Sequence, residues 1–255
     1  VERMASLILA AGKGVRMKSK LPKVLHQVCG KPMVKHVFDT ICQIGIERPI
    51  VVIGPGHQAI RGLLSSQAQY VQQQEPLGTG HAVMQAEGLL AGFSGDILIL
   101  CGDTPLLRAQ TLRKFILEHR RRGGVATILS AVMEDPTGYG RIIRAPDGSV
   151  QKIAEERDTS ISEKGISEVN TGTYCFKGRM LFKALHRVRP DDVTREYYLT
   201  DAIGILTGDG HRVEAHVVDD PAEAVGVNSR QDLAVVEKLL CERMKTATKT
   251  PNPAG

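Results

Sequence analysis

The sequence contains no tryptophan, and aromatic residues make up only 4% of it, so few planar side chains are present on which nucleic-acid bases could stack. No apolar run approaches the ~18–20 residues that a membrane-spanning helix requires, and no membrane segment is expected. The five cysteines, at positions 29, 42, 101, 175 and 241, are odd in number and include no Cys-x-x-Cys pair. That spacing argues against a zinc site or a disulfide framework and for reduced thiols in the cytoplasm. Neither Gly-x-Ser-x-Gly nor His-Glu-x-x-His occurs, which removes the serine-hydrolase elbow and the zinc-protease helix. A secretory leader is not expected either, because "SLILA" follows only five residues and runs straight into glycines.

Charge is nearly balanced. The 33 Lys+Arg against 28 Asp+Glu leave a net charge of +5, which suits a small anionic ligand and is too mild to argue for nucleic acid. The dense run "HRRRGG", residues 119–124, reads as a solvated helix end, where cations complement the helix dipole.

The 255 residues suffice for one large α/β domain. Apolar stretches of strand length recur at 6–10, 49–54, 96–103 and 125–132, the pattern of strands covered on both faces. Between them lie helical patterns. The clearest runs from Met33 through Val37, Phe38 and Ile41, with Pro32 before it and Gly45 at its end; others span about 57–64, 80–90 and 111–121. Strand–helix alternation implies a Rossmann-like three-layer α/β/α fold with a mostly parallel sheet. After Met133 two turn clusters enclose "RIIR" and "VQKIAE", which read as a hairpin in a small β-rich lobe. A strand near 168–176, helices near 178–188 and 196–207, and a strand near 212–218 follow. The expected layout is one domain over 1–244: a nucleotide-binding part over 5–133, the lobe over 134–228 and a last helix over 229–244. The tail, 245–255, is expected to be disordered.

The stretch "LILAAGKGVRM" raises the question of chemistry. Gly12-Lys-Gly14-Val-Arg-Met17 starts like a dinucleotide fingerprint, but Met17 stands where a third glycine belongs. A Walker loop needs four residues between its glycines, and Gly12 is preceded by Leu9-Ala10-Ala11. What remains is a glycine-rich turn after the first strand, at the sheet edge where open α/β sheets bind ligands. Small residues there let backbone N–H groups approach phosphate oxygens, and Lys13, Arg16, Lys18, Lys20 and Lys23 add five cations. A basic surface loop is the other reading.

Later motifs extend the pattern. Asp103 ends the apolar "DILILCGD" and reads either as a ligand for Mg²⁺ at the same edge or as a cap of the next helix. Asn228 precedes the last helix and reads as its N-cap. Glu155 reads as a solvated strand end, and His81 as a satisfied or exposed histidine. In "QQEPLGTGHA", Gln73 offers the donor and acceptor that uracil's imide edge needs, and Gly78-Thr79-Gly80 opens a helix start to close approach.

The opening stretch resembles nucleotide-sugar pyrophosphorylases. "QQEPLGTGHAV", "CGDTPLL", "DPTGYGRIIR", "EVNTGTYCF", "EYYLTDAI" and "GVNSR", in that order, are similar to the uridylyltransferase domain of the bacterial N-acetylglucosamine-1-phosphate uridyltransferases. The resemblance covers about residues 5–240. It implies a nucleotide-diphospho-sugar transferase fold whose lobe binds the sugar, Mg²⁺ as cofactor, UTP and N-acetylglucosamine 1-phosphate as partners, and UDP-N-acetylglucosamine and pyrophosphate as products. It implies Arg16, Lys23 and Asp103 as catalytic residues, and Leu9, Ala10, Ala11, Gly12, Gly14, Lys23, Gln73, Gly78 and Thr79 as nucleotide contacts. Gly102, Gly140, Glu155, Asn170, Thr200 and Asn228 would contact the substrate, and Asp103 and Asn228 the metal. Two departures stand out: Cys101 replaces the tyrosine of a Tyr-Gly-Asp motif, and the acetyltransferase repeats are absent. A pyrophosphorylase for another sugar phosphate or nucleotide, and a nucleotide-binding module without chemistry, are the alternatives.

The chemistry is consistent with this reading. A phosphate monoester is mostly dianionic at neutral pH, so its attack on an α-phosphorus needs no general base. It does need cations: two unit charges 4 Å apart interact by ~4 kcal/mol at an effective dielectric near 20. An arginine fork holding two oxygens, a lysine and a divalent ion supply that stabilisation.

Overall fold

The computed structural model describes residues 3–12 and 14–249; Lys13 and the last part of the expected disordered tail, 250–255, lie outside the described residues. The first strand, β1 (Met4–Ala10), leads through two 3₁₀ turns (Val15–Met17 and Lys23–Leu25) to a two-stranded ribbon of β2 (Gln27–Val28) and β3 (Lys31–Pro32). Next come α1 (Met33–Gln43), β4 (Ile50–Ile53), α2 (Gln58–Leu64), β5 (Gln69–Gln72), α3 (Thr79–Met84), β6 (Asp96–Cys101), α4 (Ala109–Arg122) and β7 (Ala126–Val132). The second half contains β8 (Arg141–Arg144), β9 (Val150–Ala154), α5 (Ile161–Lys164), β10 (Glu168–Lys177), α6 (Gly178–Leu185), α7 (Leu199–Gly208), β11 (Val213–Val217) and α8 (Arg230–Lys249).

The main sheet runs in the order β11-β7-β10-β6-β1-β4-β5. Its strands are parallel except β10, which is antiparallel to both β6 and β7. Helices α3, α6 and α7 bury one face, around Ile99, Phe176, Leu185 and Ile203. Helices α1, α2 and α4 bury the other, around Phe38, Ile60, Leu100 and Phe115. Strands such as β4, buried at every residue, are apolar on both sides because both sides are covered. The expected three layers are present. The β8–β9 hairpin is an extension of this sheet, joined to β10 at Val169 and Arg141.

Strand order positions the site. From β1 the chain moves outward to β4 and β5, then crosses back to place β6 on the other side of β1. Leu9 pairs with Cys101, so the glycine turn and the segment containing Asp103 emerge side by side at a topological switch point.

Three expectations are corrected. The last helix does not stop near 244 but runs to Lys249, so the first part of the expected disordered tail is helical. Cys29 and Cys241 form a disulfide with their Cα atoms 6.4 Å apart: the β2–β3 turn lies against α8, where the Cys29 N–H donates to Glu237 Oε1 at 3.1 Å. Only Cys42, Cys101 and Cys175 are free. The basic run is only partly solvated, because His119 is fully buried and meets the Thr127 hydroxyl at 2.8 Å, while Gly123 ends the helix in a left-handed cap.

Candidate active site

An open cleft of about 390 Å³ lies at the carboxyl ends of β1 and β6. Of the residues singled out in the sequence, Leu9, Ala11, Gly12, Gly14, Lys23, Gln73, Gly78, Thr79 and Asp103 line it. A larger groove of about 700 Å³, beside Arg3, Phe93 and Arg113, opens at the opposite end of the strands and collects none of these groups.

The glycine turn folds back on itself. Gly14 has a φ of +62°, and a Cβ there would stand 2.5 Å from the Cβ of Lys23; only glycine lets the second 3₁₀ turn close over the first. That closure delivers Lys23, whose ammonium ion-pairs with Asp103 and donates to Asn228 Oδ1 at 3.1 Å. The lysine and aspartate side chains are 16% and 14% exposed. One cation thus gathers oxygens from β6 and from the segment before α8.

Neither capping reading holds. The N-cap of α8 is Ser229, whose hydroxyl accepts the Asp232 N–H at 3.2 Å while Asp232 accepts from the N–H groups of Asn228 and Ser229. The Asn228 side chain is therefore free to face Lys23. Asp103 caps no helix: α4 begins at Ala109, with Arg108 preceding it. Arg16 is exposed beside Val15, which lines the cleft. Its 3₁₀ turn is anchored by the buried Met17, whose carbonyl accepts from Arg230 at 3.3 Å.

Gln73 sits 4% exposed at the other end of the cleft. Its Nε2 donates to the Gly78 carbonyl at 3.0 Å and faces His81 Nδ1 at 3.1 Å. A carbonyl can only accept, so the amide orientation is fixed and Oε1 remains as the acceptor. His81 is satisfied, as one of its two readings had it. Gly78, at a φ of +95°, lies against Tyr197, whose carbonyl oxygen would be 2.5 Å from an added Cβ.

Gly140, Glu155, Asn170 and Thr200 form a second cluster. The Thr200 hydroxyl donates to Glu155 Oε1 at 2.7 Å, and the Asn170 N–H donates to the Gly140 carbonyl at 2.8 Å. Glu155 is thus not a solvated strand end. The cluster adjoins the cleft twice: the Leu199 N–H donates to Thr79 Oγ1 at 3.0 Å, and Cys101 Sγ lies 3.5 Å from the Gly172 carbonyl. Burial, with the Asp103 charge adding to it, pushes the Cys101 thiol up to about 12, so it stays protonated.

Two expected contacts are not in the cleft wall. Ala10 is fully buried in the core on the α1 side, because strand alternation turns Leu9 and Ala11 one way and Ala10 the other. Gly102 donates its N–H to the Leu9 carbonyl at 2.9 Å, and its missing side chain leaves room for Val24. Conversely, Val24, Pro76, Ala82, Cys101 and Glu196 line the cleft without having been singled out as contacts. Glu196 lies within the quoted "EYYLTDAI", and the hydrogen bonds between Tyr197 and Leu77 and Gly80 that hold this segment to the cleft are long-range.

The family model for nucleotidyl transferases matches residues 5–222. The chain belongs to the nucleotidyl transferase family. It is 48% identical over 244 residues to the bifunctional protein GlmU of Geobacillus thermodenitrificans (strain NG80-2), covering 96% of this chain and 53% of that protein. It is 47% identical over 239 residues to the bifunctional protein GlmU of Bacillus thuringiensis (strain Al Hakam), covering 94% and 52%. The chain thus spans about half the length of the curated relatives it matches. This nucleotidyl transferase also shares its fold with a UDP-glucose pyrophosphorylase solved in complex with UDP-glucose, at a TM-score of 0.76 and 16% identity over 95% of this chain and 100% of the other. Asn228 and α8 lie beyond the family match. Among the described residues no helix is long and apolar enough to cross a membrane.

Proposed function

We propose that the chain transfers UMP from UTP to N-acetylglucosamine 1-phosphate, releasing pyrophosphate and forming UDP-N-acetylglucosamine. The observation that carries this reading is the convergence of Lys23, Asp103 and Asn228 at the rim of a glycine-walled cleft. The identity to the GlmU proteins over nearly the whole chain supports the choice of substrates.

The cleft's own groups account for binding. Gln73 Oε1 accepts the N3–H of uracil; cytosine has a lone pair there, so the amide selects against it. Ala11, Gly12 and Gly14 leave backbone room for the triphosphate. Arg16, for which no hydrogen bond or ion pair occurs among the described residues, is available to grip two phosphoryl oxygens at once. The cluster of Gly140, Glu155, Asn170 and Thr200 receives the sugar, whose phosphate approaches the α-phosphorus past Lys23.

A divalent cation fits the donor set. Asp103 and Asn228 direct two oxygens at one cation already, and Mg²⁺ takes one or two protein oxygens with phosphate and water completing its shell. Bound there, it would neutralise charge on the triphosphate. The cytoplasm, where UTP is available, is the compartment this reaction requires.

The test is pyrophosphate release over a panel of nucleotides and sugar 1-phosphates, with and without chelator. Turnover with UTP and N-acetylglucosamine 1-phosphate that chelation abolishes is the expected result. Turnover with another pair alone would refute the substrate assignment, and UTP binding without turnover on any sugar phosphate would leave a nucleotide-binding module.

A further inference from the structure

The Asn170 side chain is held in a single orientation by its surroundings. The backbone N–H of Gly172 donates to its Oδ1 at 3.1 Å. A backbone N–H can only donate, so the other end of the carboxamide must be Nδ2. That nitrogen donates to the hydroxyl of Tyr174 at 2.7 Å. The bulge that makes this geometry lies between Asn170 and Thr173 on β10, with Gly172 at a φ of +76°. It is braced from both neighbouring strands: Thr171 Oγ1 donates to the Leu129 carbonyl at 2.7 Å, and Cys101 reaches the Gly172 carbonyl from β6.

Tyr174 is a core residue with a polar end. The residue is 3% exposed, and its ring packs 5.8 Å from the ring of Phe176. Burial, reinforced by the nearby Glu155 carboxylate, raises its phenol well above the ordinary range, so the hydroxyl keeps its proton. Its hydrogen bond to Asn170 is the only one it makes among the described residues. A buried hydroxyl is costly without a hydrogen-bond partner, and the partner it has is the amide of the sugar cluster.

We propose that Tyr174 is a positioning residue for the acceptor substrate: its hydroxyl takes one Nδ2 hydrogen of Asn170 and aims the second at an oxygen of the sugar. Asn170 thereby acts as a hydrogen-bond donor through the Nδ2 hydrogen that Tyr174 leaves unused. The ligand atom it recognises is an acceptor, a hydroxyl or carbonyl oxygen of a sugar 1-phosphate. This inference rests on the proposed function and goes further by naming what sets the amide's orientation.

The experiment is a double-mutant cycle on steady-state kinetics, with KM measured separately for UTP and for N-acetylglucosamine 1-phosphate. Tyr174→Phe keeps the ring and removes the hydroxyl. It is expected to raise the KM for the sugar phosphate about fivefold, the effect of one lost neutral hydrogen bond, with kcat and the KM for UTP within about twofold of wild type. Asn170→Ala raises the sugar KM further, and Tyr174→Phe added to Asn170→Ala changes nothing more, because the hydroxyl acts only through the amide. An unchanged sugar KM in Tyr174→Phe, a loss shared equally by both substrates, or additive effects in the double variant overturns the proposal. Nuclear magnetic resonance of the unmutated, ¹⁵N-labelled chain provides a measurement independent of the variants' folding. One proton of the Asn170 side-chain NH₂ pair shifts on addition of UDP-N-acetylglucosamine, and an unmoved pair refutes the donor role. A wild-type chain inert with every sugar phosphate defeats the proposed function and this inference together, whereas an active wild type with an unaltered Tyr174→Phe defeats the inference alone.

Discussion

Replacing Asp103 by alanine separates two roles that meet at one carboxylate. In the ligand-free chain Asp103 compensates the Lys23 ammonium, and both side chains retain about one-seventh of their exposure. Removing one partner of a fully buried pair costs about 3–5 kcal/mol, and exposed pairs contribute about 0–1 kcal/mol. The site lies between these limits, and Asn228 Oδ1 still accepts from the lysine, so a loss of about 2 kcal/mol is expected. For a chain of this size that lowers Tm by about 4–8 °C, measurable by scanning calorimetry in chelator. Turnover should fall by about 10²–10³-fold at every magnesium concentration. A variant that melts at or above the wild-type temperature would refute the electrostatic reasoning. Unchanged activity across a magnesium titration would refute the metal-ligand role.

Lys23→Ala should weaken binding of UTP without altering that of uridine; a calorimetric titration giving the wild-type ratio of the two affinities would contradict phosphate contact. Gly78→Ala forces a Cβ against the Tyr197 carbonyl at a positive φ, so it should lower stability by at least about 1 kcal/mol and raise the KM for UTP, and a variant with wild-type Tm and KM counts against the close approach. Burial alone would raise the Asp96 carboxyl, but His119, with Nε2 3.5 Å away, and hydrogen bonds from Lys177 and Arg120 outweigh it and hold the group far below the usual carboxylate range. A depressed folded-state value contributes stability above the unfolded value near pH 4, which is lost as pH falls further. Asp96→Asn should therefore be about 3 kcal/mol less stable at pH 6, with the gap to wild type narrowing below pH 4 in urea titrations; a gap independent of pH would exclude the linkage.

The layered fold was legible because its strands are buried on both faces, and a run such as "DILILC" has few other uses. The nucleotide cleft was legible where a motif follows a strand end, as at Gly12 and Asp103. It failed at Ala10, which strand alternation turns into the core while its neighbours Leu9 and Ala11 face the cleft. The pairing of Cys29 with Cys241 spans 212 residues, and no local pattern encodes that distance. Tyr174 reads in the sequence as one more apolar strand position. Only the bulge after Asn170 brings its hydroxyl to the amide, and alternation cannot predict a bulge. The extension of α8 past Met244 follows from "KTATK" continuing a helix whose last turns contain no breaker.

The Lys23–Asn228 hydrogen bond closes a loop of 205 residues, and the same asparagine precedes a helix bound through Cys241 to the ribbon just after Lys23. The site is therefore completed late in synthesis. A chain still on the ribosome can pair β6, β1, β4 and β5 around the glycine turn, but it lacks the segment that completes the grip on Lys23 until Asn228 has emerged. Closing so long a loop carries an entropic cost that only the finished packing around Met17, Val28, Val227 and Val236 offsets. Catalytic competence then waits on the segment around Asn228 rather than on the glycine turn proposed to contact the nucleotide.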